Sequence, residues 1–254
     1  VVAWLAGETR LLGAFRDNRD VYSEFASEVY RRIITRDNPS ERFLGKTCIL
    51  GLQYGTGAVK LQHTLKTSAA SIDLSQTLCM EVVRIYRGLY SYITDLWKQG
   101  DLLLKFLVAW PDSGVVYGYG EHKAIIATGM GIRLPNGLYI RYNNLRLDPT
   151  SQQGYKSSYI YDSNQGPRKI WGATVLENCA QALARIIIGS QMLEVAARYR
   201  VVLTVHDSIV LLAKEQEQEE AMQFVTKIMN TAPDWAPGLP LACEVKASKS
   251  YGDC

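Results

Sequence analysis

No stretch of this sequence approaches the roughly 18 consecutive apolar residues that a membrane-spanning helix needs. Cysteine is sparse: Cys48, Cys79, Cys179, Cys243 and Cys254 are an odd number, widely scattered, with no C-x-x-C pair. That distribution argues against a disulfide framework and against a zinc site, and it points to a reducing compartment. Of the three histidines, His63 and His122 have no metal-like spacing to His206. An excess of one charge is also lacking, because 28 Lys and Arg stand against 25 Asp and Glu, a net of +3. A polyanionic partner must therefore be argued from local clusters. The opening VVAWLAG has neither the basic n-region nor the long apolar stretch of a signal peptide, and no methionine starts the chain, so a beginning in mid-protein is expected. Repeats and low-complexity tracts are missing as well.

What is there is globular. The 254 residues, 47% hydrophobic and 21% charged, suffice for one large domain or two modest ones with a core that needs no disulfides. The opening to about residue 15 has helix-like apolar spacing, broken by Gly7 and Gly13. Val21, Phe25, Val29 and Ile33 recur every fourth residue and predict a helix over 20–34, with Asp20 as its N-cap. Pro39 at a first helical position, with Asn38 or Ser40 available as a cap, predicts another helix starting near Ser40. The spacing of Val82, Ile85, Tyr86, Leu89, Ile93, Leu96 and Trp97 predicts a helix over 79–97, closed by Gly100. Residues 113–165 read as a loop-rich region containing a β-hairpin, with the Asn-Gly turn of LPNG at 134–137. The longest helix is expected at 174–198, burying Leu176, Cys179, Leu183, Ile186, Ile187 and Leu193. Beyond it, VVLTVHDSIVLLA (201–213) reads as two buried strands around His206, Asp207 and Ser208, followed by an amphipathic helix at 216–230 and a last strand at LACEV, 241–245.

Three groups of residues could carry chemistry. Residues 31–70 hold seven basic side chains (Arg31, Arg32, Arg36, Arg42, Lys46, Lys60, Lys66) against Asp37 and Glu41, a local balance of +5. Within this stretch, Arg42, Lys46, Leu50 and Tyr54 follow one another every fourth residue, a slowly rotating helical stripe about 18 Å long. Cations near a helix start oppose the macrodipole, so a bound polyanion such as a triphosphate would explain them; an ordinary solvated helix face is the alternative. Gly51 and Gly55 each cost about 1 kcal/mol inside a helix, which implies close approach of a flat partner or a deliberate helix end. The turn at His206-Asp207-Ser208 could present a carboxylate to a hard cation, or could use Asp and Ser for local backbone hydrogen bonds. Glu177, Gln181 and Arg185 share one helix face, either as an intrahelical network or with Gln181 and Arg185 reaching into a nucleic-acid groove.

These segments together resemble the C-terminal half of the family A DNA polymerases, the Pol I type, and its phage branch most closely. Arg42, three residues, Lys46, seven residues, then Tyr54-Gly55 is similar to the nucleotide-binding fingers helix of that family; VHD at 205–207 is similar to its metal-binding palm hairpin. VVAWLAGE (1–8), DVYSEFAS (20–27), LPNG (134–137) and ENCAQALAR (177–185) extend the likeness over nearly the whole chain. The resemblance implies an α/β (α+β) fold, a polymerase palm with inserted helical fingers, truncated at the N-terminus. It implies a palm remnant at 1–15, fingers and a connecting hairpin region at 16–168, and palm with the metal hairpin at 169–254.

By the same resemblance, Arg42 and Lys46 would bind the incoming triphosphate, with Leu50 beside the sugar and Tyr54 near the templating position. Gly55, Gln181 and Arg185 would contact primer-template DNA, and His206 would support the primer terminus. Asp207 would hold catalytic Mg2+, so that Asp207, Lys46, Arg42 and His206 form this chain's part of the catalytic set. The reaction implied is attack of a primer 3′-hydroxyl on the α-phosphate of a dNTP. Leu50 stands where the family has an aromatic, and Ser208 where an acid commonly follows the metal-binding Asp. The family's other catalytic aspartate falls about eight residues before Val1, and its ribose-excluding glutamate about three before, so that two-metal chemistry is only partly represented. The chain alone is thus expected to be inactive, and a separate N-terminal polymerase piece is an expected partner, in the cytoplasm of a bacterial host and away from membranes. A single-subunit RNA polymerase shares the Arg, Lys, Tyr-Gly spacing, and a non-catalytic nucleic-acid-binding module is the alternative of a different class.

Overall fold

The computed structural model describes residues 1–110, 115–150 and 159–253. It is a mixed helical and antiparallel β structure whose compact units meet in sequence between Ala180 and Gln181.

The first unit, residues 2–180, begins with helices α1 (Val2–Ala6) and α2 (Thr9–Arg16), then α3 (Val21–Tyr30) and α4 (Pro39–Leu52). Asp20 caps α3 as expected, its carboxylate accepting from the backbone N–H groups of Tyr22 and Ser23. The helix is shorter than its apolar period suggests. Arg31 takes a left-handed conformation (φ 52°) that stops it, and Ile33, expected on the buried stripe, is 84% exposed. Pro39 does open α4, but the Asn38 side chain accepts from Thr35 N–H instead of capping α4.

Helix α3 lies unusually close to α4. A Cβ on Gly45 would stand 2.1 Å from the Tyr22 carbonyl oxygen, so only glycine lets the two backbones meet there. Leu44, Cys48 and Leu52 of α4 are buried, as are Leu61 and Leu65 of α5 (Ala58–Thr67). Burial pushes the Cys48 thiol up to about 12, with Cys79 adding to the effect, so this cysteine is an inert core residue.

The single helix expected over 79–97 is two, α6 (Gln76–Leu89) and α7 (Ser91–Ala109), broken at Tyr90. Tyr90 is 3% exposed and packs its ring against Tyr86 at 4.9 Å and Phe25 at 6.2 Å. Tertiary packing of that aromatic group bends the chain while the apolar period continues in phase on both sides. Gly100, expected to close the helix, lies inside α7. A Cβ there would come 2.6 Å from the Gly172 carbonyl oxygen, so this glycine serves a backbone crossing.

Residues 115–170 hold more strand than the single hairpin expected. β1 (Tyr117–Tyr119), β2 (Ile125–Thr128), β3 (Gly131–Arg133) and β4 (Tyr139–Ile140) form one antiparallel sheet in that order. The LPNG turn joins β3 to β4, with Gly137 at φ 84°. A second sheet is built of β5 (Arg146–Leu147), β6 (Tyr159–Ser163) and β7 (Gly166–Ile170). Helix α8 (Gly172–Ala196) follows, its first N–H capped by the Asp101 carboxylate at 2.6 Å.

The second compact unit comprises Val1 and residues 181 onward. It contains the rest of α8, strands β8 (Arg200–Val205) and β9 (Ser208–Leu212), and α9 (Gln218–Met229). Val195, Val225 and Ile228 form a small core joined by Val201, Leu211 and Val245. Three expectations fail here. Leu193, assigned to the buried stripe, is 67% exposed, and the β8–β9 strands are not buried, Val202, Leu203 and Leu212 all being exposed. A two-stranded sheet can cover one face with this core, and among the described residues nothing in the unit covers the other. LACEV also forms no ladder: Leu241, Cys243 and Val245 are half-buried in alternation, but a strand needs a partner edge, and Cys243 N–H donates instead to the Asn230 side chain.

Candidate functional site

The charged stripe of α4 opens on a cleft of about 490 Å³ lined by Arg36, Pro39, Arg42, Phe43 and Lys46. Arg42 is not a free cation. Its Nε donates to Asp20 Oδ2 at 2.6 Å and its Nη2 to Oδ1 at 3.3 Å, a side-on fork, while the guanidinium lies 5.4 Å from the Tyr22 ring centroid. Burial works against ionisation of Asp20, but hydrogen bonds from Arg42 and Ser23 outweigh it and hold the carboxyl below its ordinary range. Arg36 Nε stands 3.8 Å from the same carboxylate, and Arg32 pairs with Glu41. Lys46 is exposed and forms no ion pair among the described residues. A cation near the start of α4 thus has an internal counter-ion, which sequence reasoning had assigned only to α3 as a cap.

Farther along, Leu50 is 46% exposed. The regular stripe ends before Tyr54: α4 stops at Leu52, and residues 53–55 form a turn in which Tyr54 N–H donates to Gly51 O and Gly55 N–H to Leu52 O. Gly55 has φ 77°, and a Cβ there would fall 2.2 Å from the Trp171 indole. Gly55 thus lies in the turn beyond the end of α4, and the flat group packed against it is the chain's own Trp171 ring. Trp97 fastens the same turn by donating from Nε1 to Gln53 O at 2.9 Å, and it meets Trp171 edge-on at 6.2 Å. Tyr54 is half-buried; burial raises its hydroxyl pKa, and the Glu177 carboxylate raises it further.

On α8, Glu177, Gln181 and Arg185 are all exposed. Across the chain's other candidate, the β8–β9 hairpin, Val205 pairs with Ser208, leaving His206 and Asp207 as a two-residue tip. His206 has φ 53°, which costs an L-residue about 1–2 kcal/mol, and both tip side chains are exposed. Asp207 supplies one hard oxygen donor. Among the described residues no three His, Cys, Asp or Glu side chains come together. Also among the described residues, no helix is long and apolar enough to cross a membrane.

Comparison with known proteins gives these features a context. Residues 1–101 match the sequence profile of DNA polymerase family A. A DNA polymerase of Bacillus phage SP02 is 26% identical over 96% of this chain and 38% of its own length. DNA polymerase I of Caldicellulosiruptor bescii is 25% identical over 99% of this chain and 25% of its own. The chain therefore spans well under half the length of these relatives. Among solved structures, the POL domain of Pol1 from M. smegmatis, in complex with DNA primer-template and dNTP, matches 94% of the chain and 35% of that domain's chain, with a TM-score of 0.62 at 23% identity. The profile match covers the first 101 residues and the relatives aligned along nearly the full extent are 25–26% identical, so the chain is similar to a part of the family A DNA polymerases and shares its fold with the POL domain of a Pol1.

Proposed function

We propose that this chain provides the nucleotide-binding fingers helix and one metal-binding palm carboxylate for template-directed DNA synthesis, the transfer of a nucleotidyl group from a dNTP to a primer 3′-hydroxyl. The observation that carries the reading is the cationic cleft on α4, where Arg42 and Lys46, four residues apart, face the same space. Its size suits a triphosphate, and its cations would neutralise charge on the β- and γ-phosphates as pyrophosphate leaves. Leu50 would lie beside the sugar and the half-buried Tyr54 would stack near the templating base. Gly55, beside the Trp171 ring, would let the duplex approach. Gln181 and Arg185, exposed on α8, would contact primer-template DNA, and His206 the primer end.

Asp207 would be one oxygen ligand of a divalent cation, Mg2+. The remaining ligands would come from outside the clusters described, including a second aspartate on a separate or preceding polymerase segment. The domain assignment follows: palm at 1–15 and 169–254, fingers and hairpin region at 16–168, acting in the host-cell cytoplasm if the parent is a phage.

Primer extension tests the proposal. Residues 1–254 alone are expected to bind dNTP without extending a primer, and addition of a polypeptide carrying the preceding polymerase segment of the SP02 phage relative should restore extension. No extension with that piece would overturn the reading as a polymerase part, and retained duplex binding without turnover would mark a binding module.

A further inference from the structure

The side-on fork between Arg42 and Asp20 has a consequence for how the cleft holds an anion. A guanidinium has five N–H donors on three nitrogens in a rigid plane. Asp20 takes the Nε–Nη2 edge and leaves Nη1 without a partner among the described residues. The carboxylate is itself immobile: it accepts from Tyr22 N–H at 3.2 Å, Ser23 N–H at 3.3 Å and Ser23 Oγ at 2.9 Å, and its side chain is 19% exposed. The backbones carrying the pair are held together through Gly45, where no side chain fits. Arg42 therefore has one edge anchored to a fixed helix N-terminus and its other end directed away from the anchor. Lys46, by contrast, is exposed and has no such support.

We infer that Asp20 is a positioning residue for the triphosphate site, holding the Arg42 guanidinium so that its Nη1 end meets a phosphate oxygen in the α4 cleft. The inference rests on the nucleotide-binding reading above and deepens it by adding a residue that does not itself touch the ligand. Pre-anchoring lowers the rotamer entropy that Arg42 loses on binding, and this offsets the electrostatic penalty of a nearby carboxylate. An acid in a cationic cleft would otherwise weaken polyanion binding, so the two accounts predict opposite signs.

The test is titration of residues 1–254 with inorganic tripolyphosphate and with dATP, at fixed salt, in a double-mutant cycle of Asp20→Asn and Arg42→Ala. Asparagine keeps the N-cap acceptor of α3, and Asp20→Ser, which also caps but cannot reach Arg42, serves as a second variant; circular dichroism and melting check the fold of each. Asp20→Asn is expected to weaken both ligands by about fivefold when Arg42 is present and not at all in the Arg42→Ala background. Unchanged or tighter binding by Asp20→Asn would overturn the inference, as would equal weakening in both backgrounds, which a merely structural role produces. If the unaltered chain binds neither ligand, or Arg42→Ala binds as well as it does, the nucleotide-binding reading fails and this inference with it. Arg42-dependent binding that ignores Asp20 refutes this inference alone.

Discussion

The α4 cleft and the β8–β9 hairpin each present side chains of the kind a phosphoryl-transfer site uses, yet they are built in opposite ways. At α4, Arg42 is fixed by a fork to Asp20, by a glycine contact between helices and by a ring at 5.4 Å. At the hairpin, Asp207 stands exposed on a two-residue tip whose strands have one uncovered apolar face. The first region carries its own supporting shell. The second has a carboxylate in place but no cluster of three His, Cys, Asp or Glu side chains among the described residues. On the proposed reading, the α4 cleft is the better supported of the two regions, and the hairpin carboxylate is the one that relies on groups beyond those described.

The strongest way to break the contrast is to force α3 and α4 apart. Gly45→Ala puts a methyl group against the Tyr22 carbonyl, and a loss of about 2–3 kcal/mol is expected in urea unfolding, even after the gain in helix propensity. The matching change at the hairpin, Val202→Thr, falls on an exposed position and should leave unfolding within about 0.5 kcal/mol. A large effect of Val202→Thr in residues 1–254 would mean that the open face is already covered.

Removing the cations of the α4 cleft sharpens the same contrast at the level of the proposed function. Arg42→Ala and Lys46→Ala are each expected to weaken tripolyphosphate binding about tenfold, roughly 1.4 kcal/mol, by calorimetric titration. Asp207→Asn should change that affinity less than about twofold, since a lone exposed carboxylate contributes little to anion binding, and should abolish primer extension in the reconstituted enzyme. Equal effects of the three variants on binding would merge the two regions into one site.

The smallest effect concerns pH. Because the folded-state pKa of Asp20 is held below its ordinary value, its ion pair adds stability that is fully present above the unfolded pKa of about 4 and is lost as pH falls through the folded value. Urea midpoints of the unaltered chain and of Asp20→Asn should therefore converge as pH falls below 4. A constant gap between them would detach Asp20 from that acid limb.

Much of the architecture was legible in local pattern, because caps and amphipathic periods are short-range properties. Asp20 reads as a cap and Pro39 as a helix start, and each is found there. The failures share one cause, partners distant in sequence. Tyr90 ends a helix because its ring is buried against Phe25, Gly100 continues one because Gly172 crosses it, and LACEV lacks a ladder because no strand among the described residues pairs with it. At the site, the order Arg42, Lys46, Tyr54-Gly55 was visible, whereas the second role of Asp20 was not. One signal could have hinted at that role: an acid at a cap position ahead of a cluster of arginines.

The sequence by itself carried the likeness to the family A DNA polymerases, the fold class, and the identity and order of the candidate nucleotide- and metal-binding residues, since those depend on residue types at fixed spacings along the chain. Only the tertiary structure decided that Arg42 is anchored to Asp20, that Tyr54 leaves the helix at a turn packed on Trp171, and that the strands bearing Asp207 stand open on one face. Those properties depend on distances between segments that no local pattern encodes, because burial and hydrogen bonding are settled by which elements meet.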